Sequence, residues 1–224
     1  MAIGTPVLIF NNAGAHVSSG VATGGTTADA PAGSLVVIAI AVPSGSTVGT
    51  LVDSVGNTYS RAVRLAPAGQ QEAELWYCTN VLHLPVGTTF TATVVGGGTF
   101  SVYSGAAAVS SANAGLDLTA SKNVSAQLNF NPSISIGPFA AANEIVFATL
   151  NFGSFTSYVE DAAFTNLVPN FLSGNGCPFS YRIVSATTSI AWTPSWSGSD
   201  SPTGVLASFQ ASGVDVAGHT WSEC

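Results

Sequence analysis

Charge is what this sequence has least of. Only 7% of its 224 residues are ionisable as Asp, Glu, Lys or Arg, and Lys122 is the single lysine. An ordinary soluble domain carries about 25%, so water or a partner must be met here by Ser, Thr, Asn and Gly. Surfaces of that kind belong to exported proteins and to subunits of large assemblies more often than to free cytosolic enzymes. The four cations are Arg61, Arg64, Lys122 and Arg182; they stand against eleven acids, for a net charge of −7. Nothing there can neutralise a row of phosphates, which excludes nucleic-acid binding. The acids are thinly spread, so the chain has no acidic tail to recruit a basic partner either.

Long apolar runs are also missing. The longest, 35–42, is eight residues, well short of the ~20 that a spanning helix needs, so no membrane partner is expected. The first fourteen residues lack the basic stretch of a secretory signal. An exterior-like composition without an export signal suits a virion part, which is freed when its host lyses.

Chemistry-bearing patterns are absent in turn. His16, His83 and His219 are far apart, no Gly-x-Ser-x-Gly elbow occurs, and no Cys-x-x-Cys pair offers metal ligands. Gly96-Gly97-Gly98 lacks the lysine of a phosphate loop. A glycosidase needs two carboxyl groups roughly 5–10 Å apart across the scissile bond. Glu72 with Glu74, and Glu160 with Asp161, are the nearest pairs, and both read as solvated charges. No enzyme activity, cofactor or metal is expected. Three cysteines, Cys78, Cys177 and Cys224, cannot all pair within one chain. Isolated thiols are the simpler reading; the sharper one makes Cys224 an interchain disulfide.

What is present is strand signal. Runs rich in β-branched and aromatic residues, bounded by Gly, Pro, Asn and Ser, recur at 6–11, 35–42, 49–53, 61–65, 73–80, 89–95, 106–111, 134–137, 144–152, 179–185, 189–193 and 204–212. No helical period competes with them. The pattern predicts an all-β antiparallel sandwich, jelly-roll-like, spanning 1–212, with 213–224 as a tail and candidate intersubunit arm.

The apolar run 35–42 predicts a core strand, covered on both faces or lying at the centre of a sheet. The run 73–80 alternates instead, with Leu75 and Tyr77 on one face and Glu74, Trp76 and Cys78 on the other. Glu72 and Glu74 predict that this second face opens to water or a partner. The two halves look alike: Ser34-Leu35-Val36-Val37-Ile38-Ala39 resembles Asn143-Glu144-Ile145-Val146-Phe147-Ala148, and Leu75-Trp76-Tyr77 resembles Phe179-Ser180-Tyr181. That means either two small sandwiches or one large one of two Greek-key halves. Without a linker between them, one body is preferred.

One stretch supports a resemblance. Leu51-Val52-Asp53-Ser54-Val55-Gly56-Asn57-Thr58-Tyr59, followed by Glu74-Leu75-Trp76-Tyr77 and later by Ser180-Tyr181-Arg182-Ile183-Val184, is similar to a β-sandwich type of tailed-phage structural proteins and bacterial surface modules. The resemblance runs from about Ser34 to Gln210. It implies placement on a virion exterior, as a capsid decoration or a short fibre or spike component, with copies of itself and other virion proteins as partners. The same type also appears as a carbohydrate-facing module.

Within that stretch, Asp53 and Asn57 could cup a hard cation, but Asp, Asn and Gly at this spacing more simply build a turn. Trp76, Trp192, Trp196 and Trp221 are candidates for a protein interface or a host-glycan platform, with core packing as the simpler fate. Trp192 and Trp196, on one strand face, would place one ring in the core and the other at its rim. Edge strands of free monomers are commonly guarded by lysine, and this chain has almost none.

Overall fold

A computed structural model describes residues 3–17, 21–96, 100–110, 115–125, 127–130, 133–152, 157–168 and 176–210. It is all-β and antiparallel. In the first half the strands are β1 (Val7–Val17), β2 (Val21–Gly25), β3 (Leu35–Val42), β4 (Ser46–Asp53), β5 (Ser60–Leu65), β6 (Glu72–Cys78), β7 (Thr89–Gly96) and β8 (Phe100–Val109). They form a five-stranded sheet, β1-β8-β3-β6-β5, and a three-stranded one, β2-β7-β4. The chain crosses between the sheets at every step from β1 to β5, and then β5 and β6 pair as neighbours.

The second half repeats this plan. Its strands are β9 (Gly115–Asn123), β10 (Gln127–Asn129), β11 (Ile134–Ile136), β12 (Glu144–Asn151), β13 (Ser157–Val159), β14 (Thr165–Val168), β15 (Phe179–Val184), β16 (Ile190–Trp192), β17 (Ser195–Asp200) and β18 (Thr203–Gln210). The large sheet runs β9-β18-β12-β15-β14, in the same order as its counterpart. The small sheet is split into β10-β17-β13 and β11-β16. The split follows Pro194, which has no N–H for a ladder and so divides the second half's equivalent of β7.

Each half closes its own sandwich, and the two large sheets then pack face to face. Three cores result. Val36, Ile38 and Ile40 of β3 face the β2-β7-β4 sheet, whereas Leu35, Val37, Ala39 and Ala41 face Ile145, Phe147, Val205 and Phe209 of the other half. A strand covered on both sides must be apolar throughout, as β3 is. The outer core of the second half gathers Phe130, Val146, Leu150, Phe152, Trp192 and Trp196. Each fully buried Val, Leu, Ile or Phe is worth roughly 1.5–3 kcal/mol, so neither half leaves the shared face in water. Polar ties cross the same junction: Asn151 Nδ2 donates to the carbonyls of Val42 (3.0 Å) and Glu72 (2.8 Å), and the Thr203 hydroxyl donates to that of Gln71 (2.7 Å). Gly204 is needed where the outer core comes closest, because a Cβ there would lie 2.6 Å from the Phe130 ring.

The internal likeness is real, but its register differs from the one the residue strings suggest. Ile38 pairs with Trp76, and Ala148 pairs with Ser180. With Trp76 equivalent to Ser180, Ile38 is therefore equivalent to Ala148, whereas the string match sets Ala39 there. A slip of one residue exchanges the two faces of a strand. Here both faces are apolar, so composition could not detect the slip.

Candidate functional site

The turn after β4 is a closed knot. Asp53 Oδ1 accepts the N–H groups of Val55, Gly56 and Asn57 at 2.9–3.0 Å, and Oδ2 accepts Asn57 Nδ2 (2.8 Å) and the Tyr59 hydroxyl (2.9 Å). Gly56 has φ +112°, a conformation that side chains resist. A carboxylate holding five donors has no lone pair left for a cation, so this is the turn and not the calcium cup. Among the described residues, no three His, Cys, Asp or Glu side chains converge on a possible metal position.

The knot also organises one end of the first sandwich. Asn57 Oδ1 accepts the Leu82 N–H (2.9 Å), Ser54 and Thr89 exchange two hydrogen bonds, and Asp29 Oδ1 accepts the Val86 N–H (2.8 Å). Held in this way, Val55, Leu82 and Val86 stay exposed, the last two at 55% and 62%. Ordered backbone under exposed apolar side chains is what a binding tip requires, because little entropy remains to be lost on docking. His83, the histidine of this tip, lies 3.7 Å from the Asp29 carboxylate.

The tip continues into the outer face of the small sheet. Leu51, Phe90, Ala92 and Val94 point inward to the core, so Thr50, Val52, Thr91, Thr93 and Val95 point outward, in the pairs Thr50–Thr93 and Val52–Thr91. Val95 is 56% exposed. None of these outward positions is ionisable. The four cations lie elsewhere: Arg61 and Arg64 on the edge strand β5, Lys122 on the neighbouring edge strand β9, and Arg182 on β15. The opposite edges, β1 and β14, contain no Lys, Arg, Asp or Glu.

Glu72 and Glu74 overturn the expectation of an open face. Both are buried, Glu74 completely. Their face of β6 looks into the first sandwich, where Glu74 accepts the Trp76 indole N–H (2.6 Å), the Thr47 hydroxyl (3.0 Å) and the Val48 N–H (3.2 Å). Arg61 Nε lies 3.1 Å from Glu74, and Arg64 bonds Glu72 through Nε and Nη2 at 3.0 and 2.6 Å. The Arg61 guanidinium also stacks 4.8 Å over the Trp76 ring and reaches the Val48 carbonyl. Carboxylates neutralised in this way cannot act as a glycosidase acid and base.

Glu160 and Asp161 are loop charges, but half-buried and engaged by donors rather than fully solvated. Glu160 accepts Trp192 Nε1 (2.8 Å), the Tyr158 hydroxyl (2.8 Å) and the Asp161 N–H, while Asp161 accepts the N–H groups of Ala163 and Thr193. Burial raises the Glu160 pKa against the pull of these donors, and burial followed by the Glu160 charge raises that of Tyr158. The pair closes the corner beside β16.

The tryptophans correct a further expectation. Trp76, Trp192 and Trp196 are all buried, so none offers a stacking face to a glycan or a partner. Trp192 and Trp196 are both core, with no rim position, because β16 and β17 belong to different small sheets. Their rings meet Phe130 from two sides at 5.7 and 5.1 Å. Trp221 and Cys224, with the 213–224 tail, lie outside the described residues.

Cys78 and Cys177 are buried in different cores. Burial pushes the Cys177 thiol up to about 12, so it stays a thiol at neutral pH. In a Cys224→Ser variant, no thiol is expected to react with an aqueous disulfide reagent in the native state and two are expected to react after unfolding. A thiol that reacts before unfolding would contradict this placement.

Sequence reasoning missed the apolar tip, whose only signal was the exposed-loop position of Leu82 and Val86. It also missed a carboxyl pair, Asp117 and Glu144, that lies far apart in sequence. Among the described residues, no helix is long and apolar enough to cross a membrane. Comparisons with known protein families, with characterised proteins and with solved structures return no match for this chain.

Proposed function

We propose that this chain is a non-enzymatic structural subunit on the exterior of a tailed-phage particle, a capsid decoration or a short fibre or spike component. It acts by packing against copies of itself and against neighbouring virion proteins. The observation that carries this reading is the uncharged outer face of β4 and β7, continuous with the rigid tip of Val55, Leu82 and Val86. Such a face buries without the desolvation penalty that Lys or Glu would bring. The uncharged edges β1 and β14 add to it, since edges left unguarded suit a chain whose neighbours cover them. The carbohydrate-binding alternative loses three of its four candidate platforms with the burial of Trp76, Trp192 and Trp196.

A Thr93→Asp, Val95→Asp double variant tests the reading, because both side chains point outward and contribute nothing to the core. Two carboxylates desolvated at a contact are expected to weaken self-association roughly a hundredfold or more, with thermal stability unchanged. Association that survives this change, measured by sedimentation, would remove the face from the account.

A further inference from the structure

Glu144 opens β12 and is completely buried, with its side chain at the end of the second sandwich's outer core. Its Oε1 accepts the Ala141 N–H at 3.3 Å. Its Oε2 is sealed from water and, among the described residues, has no donor within hydrogen-bonding distance. Beside it stands Asp117 of β9, whose Oδ2 accepts the Ala140 N–H at 3.4 Å. Two carboxyl groups thus tie down consecutive amides of the turn that leads into β12.

Among the described residues, no cation relieves them. Arg182 of β15 is opposite Val146, and Lys122 is opposite Gly204, towards the other end of β9. The strand partners of Glu144 are Val184 and Gln210, which are uncharged. Ser208 of β18, whose Oγ accepts the Leu118 N–H at 3.0 Å, is the remaining polar neighbour. An orphan carboxyl oxygen sealed from water beside a second carboxyl group needs a proton.

We propose that Glu144 and Asp117 hold one proton between them, and that this proton latches the 137–143 turn to β9, so that this end of the second sandwich loosens as pH rises through neutrality. The direction of titration agrees. Burial first, and then the Asp117 charge, raise the Glu144 pKa from 4.5 to about 7, against the Ala141 N–H and the Ser208 hydroxyl. In the unfolded chain the group ionises near its ordinary value, so between these limits the folded chain holds more protons than the unfolded one. The contribution to stability is therefore complete below pH 4.5 and is lost as pH rises to about 7. The loss in the folding constant approaches about tenfold per pH unit at its steepest.

The test is the urea midpoint of the intact chain and of Glu144→Gln from pH 4.5 to 8.5, read as a difference so that His83 and the other acids cancel. The wild-type midpoint is expected to fall relative to the variant as pH rises, reaching its limit above pH 7. Carboxyl-carbon NMR of the wild type is expected to show one Glu resonance titrating near neutrality that is absent from the variant. In Asp117→Asn, which removes the like charge, the same resonance is expected to titrate at lower pH. A midpoint difference that stays level across the range, or a Glu144 resonance that titrates near 4.5, would overturn the proposal. Stabilisation by added Ca²⁺ at pH 8 that depends on Glu144 would also overturn it, showing that a metal takes the place assigned to the proton.

Discussion

Replacing Glu74 by alanine is expected to cost about 3–5 kcal/mol of folding stability, the range seen when one member of a buried ion pair is removed. The cost is large because Glu74 is a hub. Its removal leaves the Trp76 indole, the Val48 amide and the Thr47 hydroxyl without their acceptor. It also leaves the Arg61 guanidinium beside a cavity it no longer neutralises. Glu74→Gln retains an acceptor but loses the charge, and should fall between the alanine variant and the wild type. Urea unfolding at pH 7 measures both. A loss below about 1 kcal/mol for the alanine variant would mean that the network is worth no more than a surface ion pair.

Replacing Asp53 by alanine has the second largest expected effect, about 3 kcal/mol or more, because five donors lose one acceptor group and hydrogen bonds to a charged group are worth about 1.5–3 kcal/mol each without being additive. Asp53→Asn should lose less. Its oxygen can still take the three backbone N–H groups, but its amide would face the Asn57 amide donor to donor. The consequence reaches function. Once the turn is free, Asn57 no longer fixes Leu82, and the tip of Val55, Leu82 and Val86 must be ordered anew at each contact. Self-association is therefore expected to weaken in Asp53→Ala at temperatures well below its melting point. Scanning calorimetry and sedimentation on the same sample separate the two effects, and an unchanged association constant would detach the knot from the interface.

These residues also show which parts of the architecture could be read in advance. An all-β sandwich follows from short β-branched runs between turn residues. The burial of β3 in the core follows from its unbroken apolar run, and the turn at Asp53 from the local chemistry of Asp, Gly and Asn. What could not be read were relations between distant segments. Glu74 looked solvent-facing because its partners, Arg61 and Thr47, come from other strands. One of Trp192 and Trp196 looked like a rim residue because their spacing fits a single strand, whereas Pro194 divides it into β16 and β17 of different sheets. Asp117 and Glu144 have no pattern in common, and only the pairing of β9, β18 and β12 brings them together. The one-residue slip between the halves escaped for the opposite reason: both faces of β3 and β12 carry the same kind of side chain.

The most direct test of an assembling subunit is its mass in solution, measured by light scattering over a hundredfold range of concentration, with and without reductant. Self-association through the uncharged β4–β7 face predicts a mass that climbs with concentration to a multiple of the 22.5 kDa chain in both conditions. A mass that stays at 22.5 kDa throughout would contradict it.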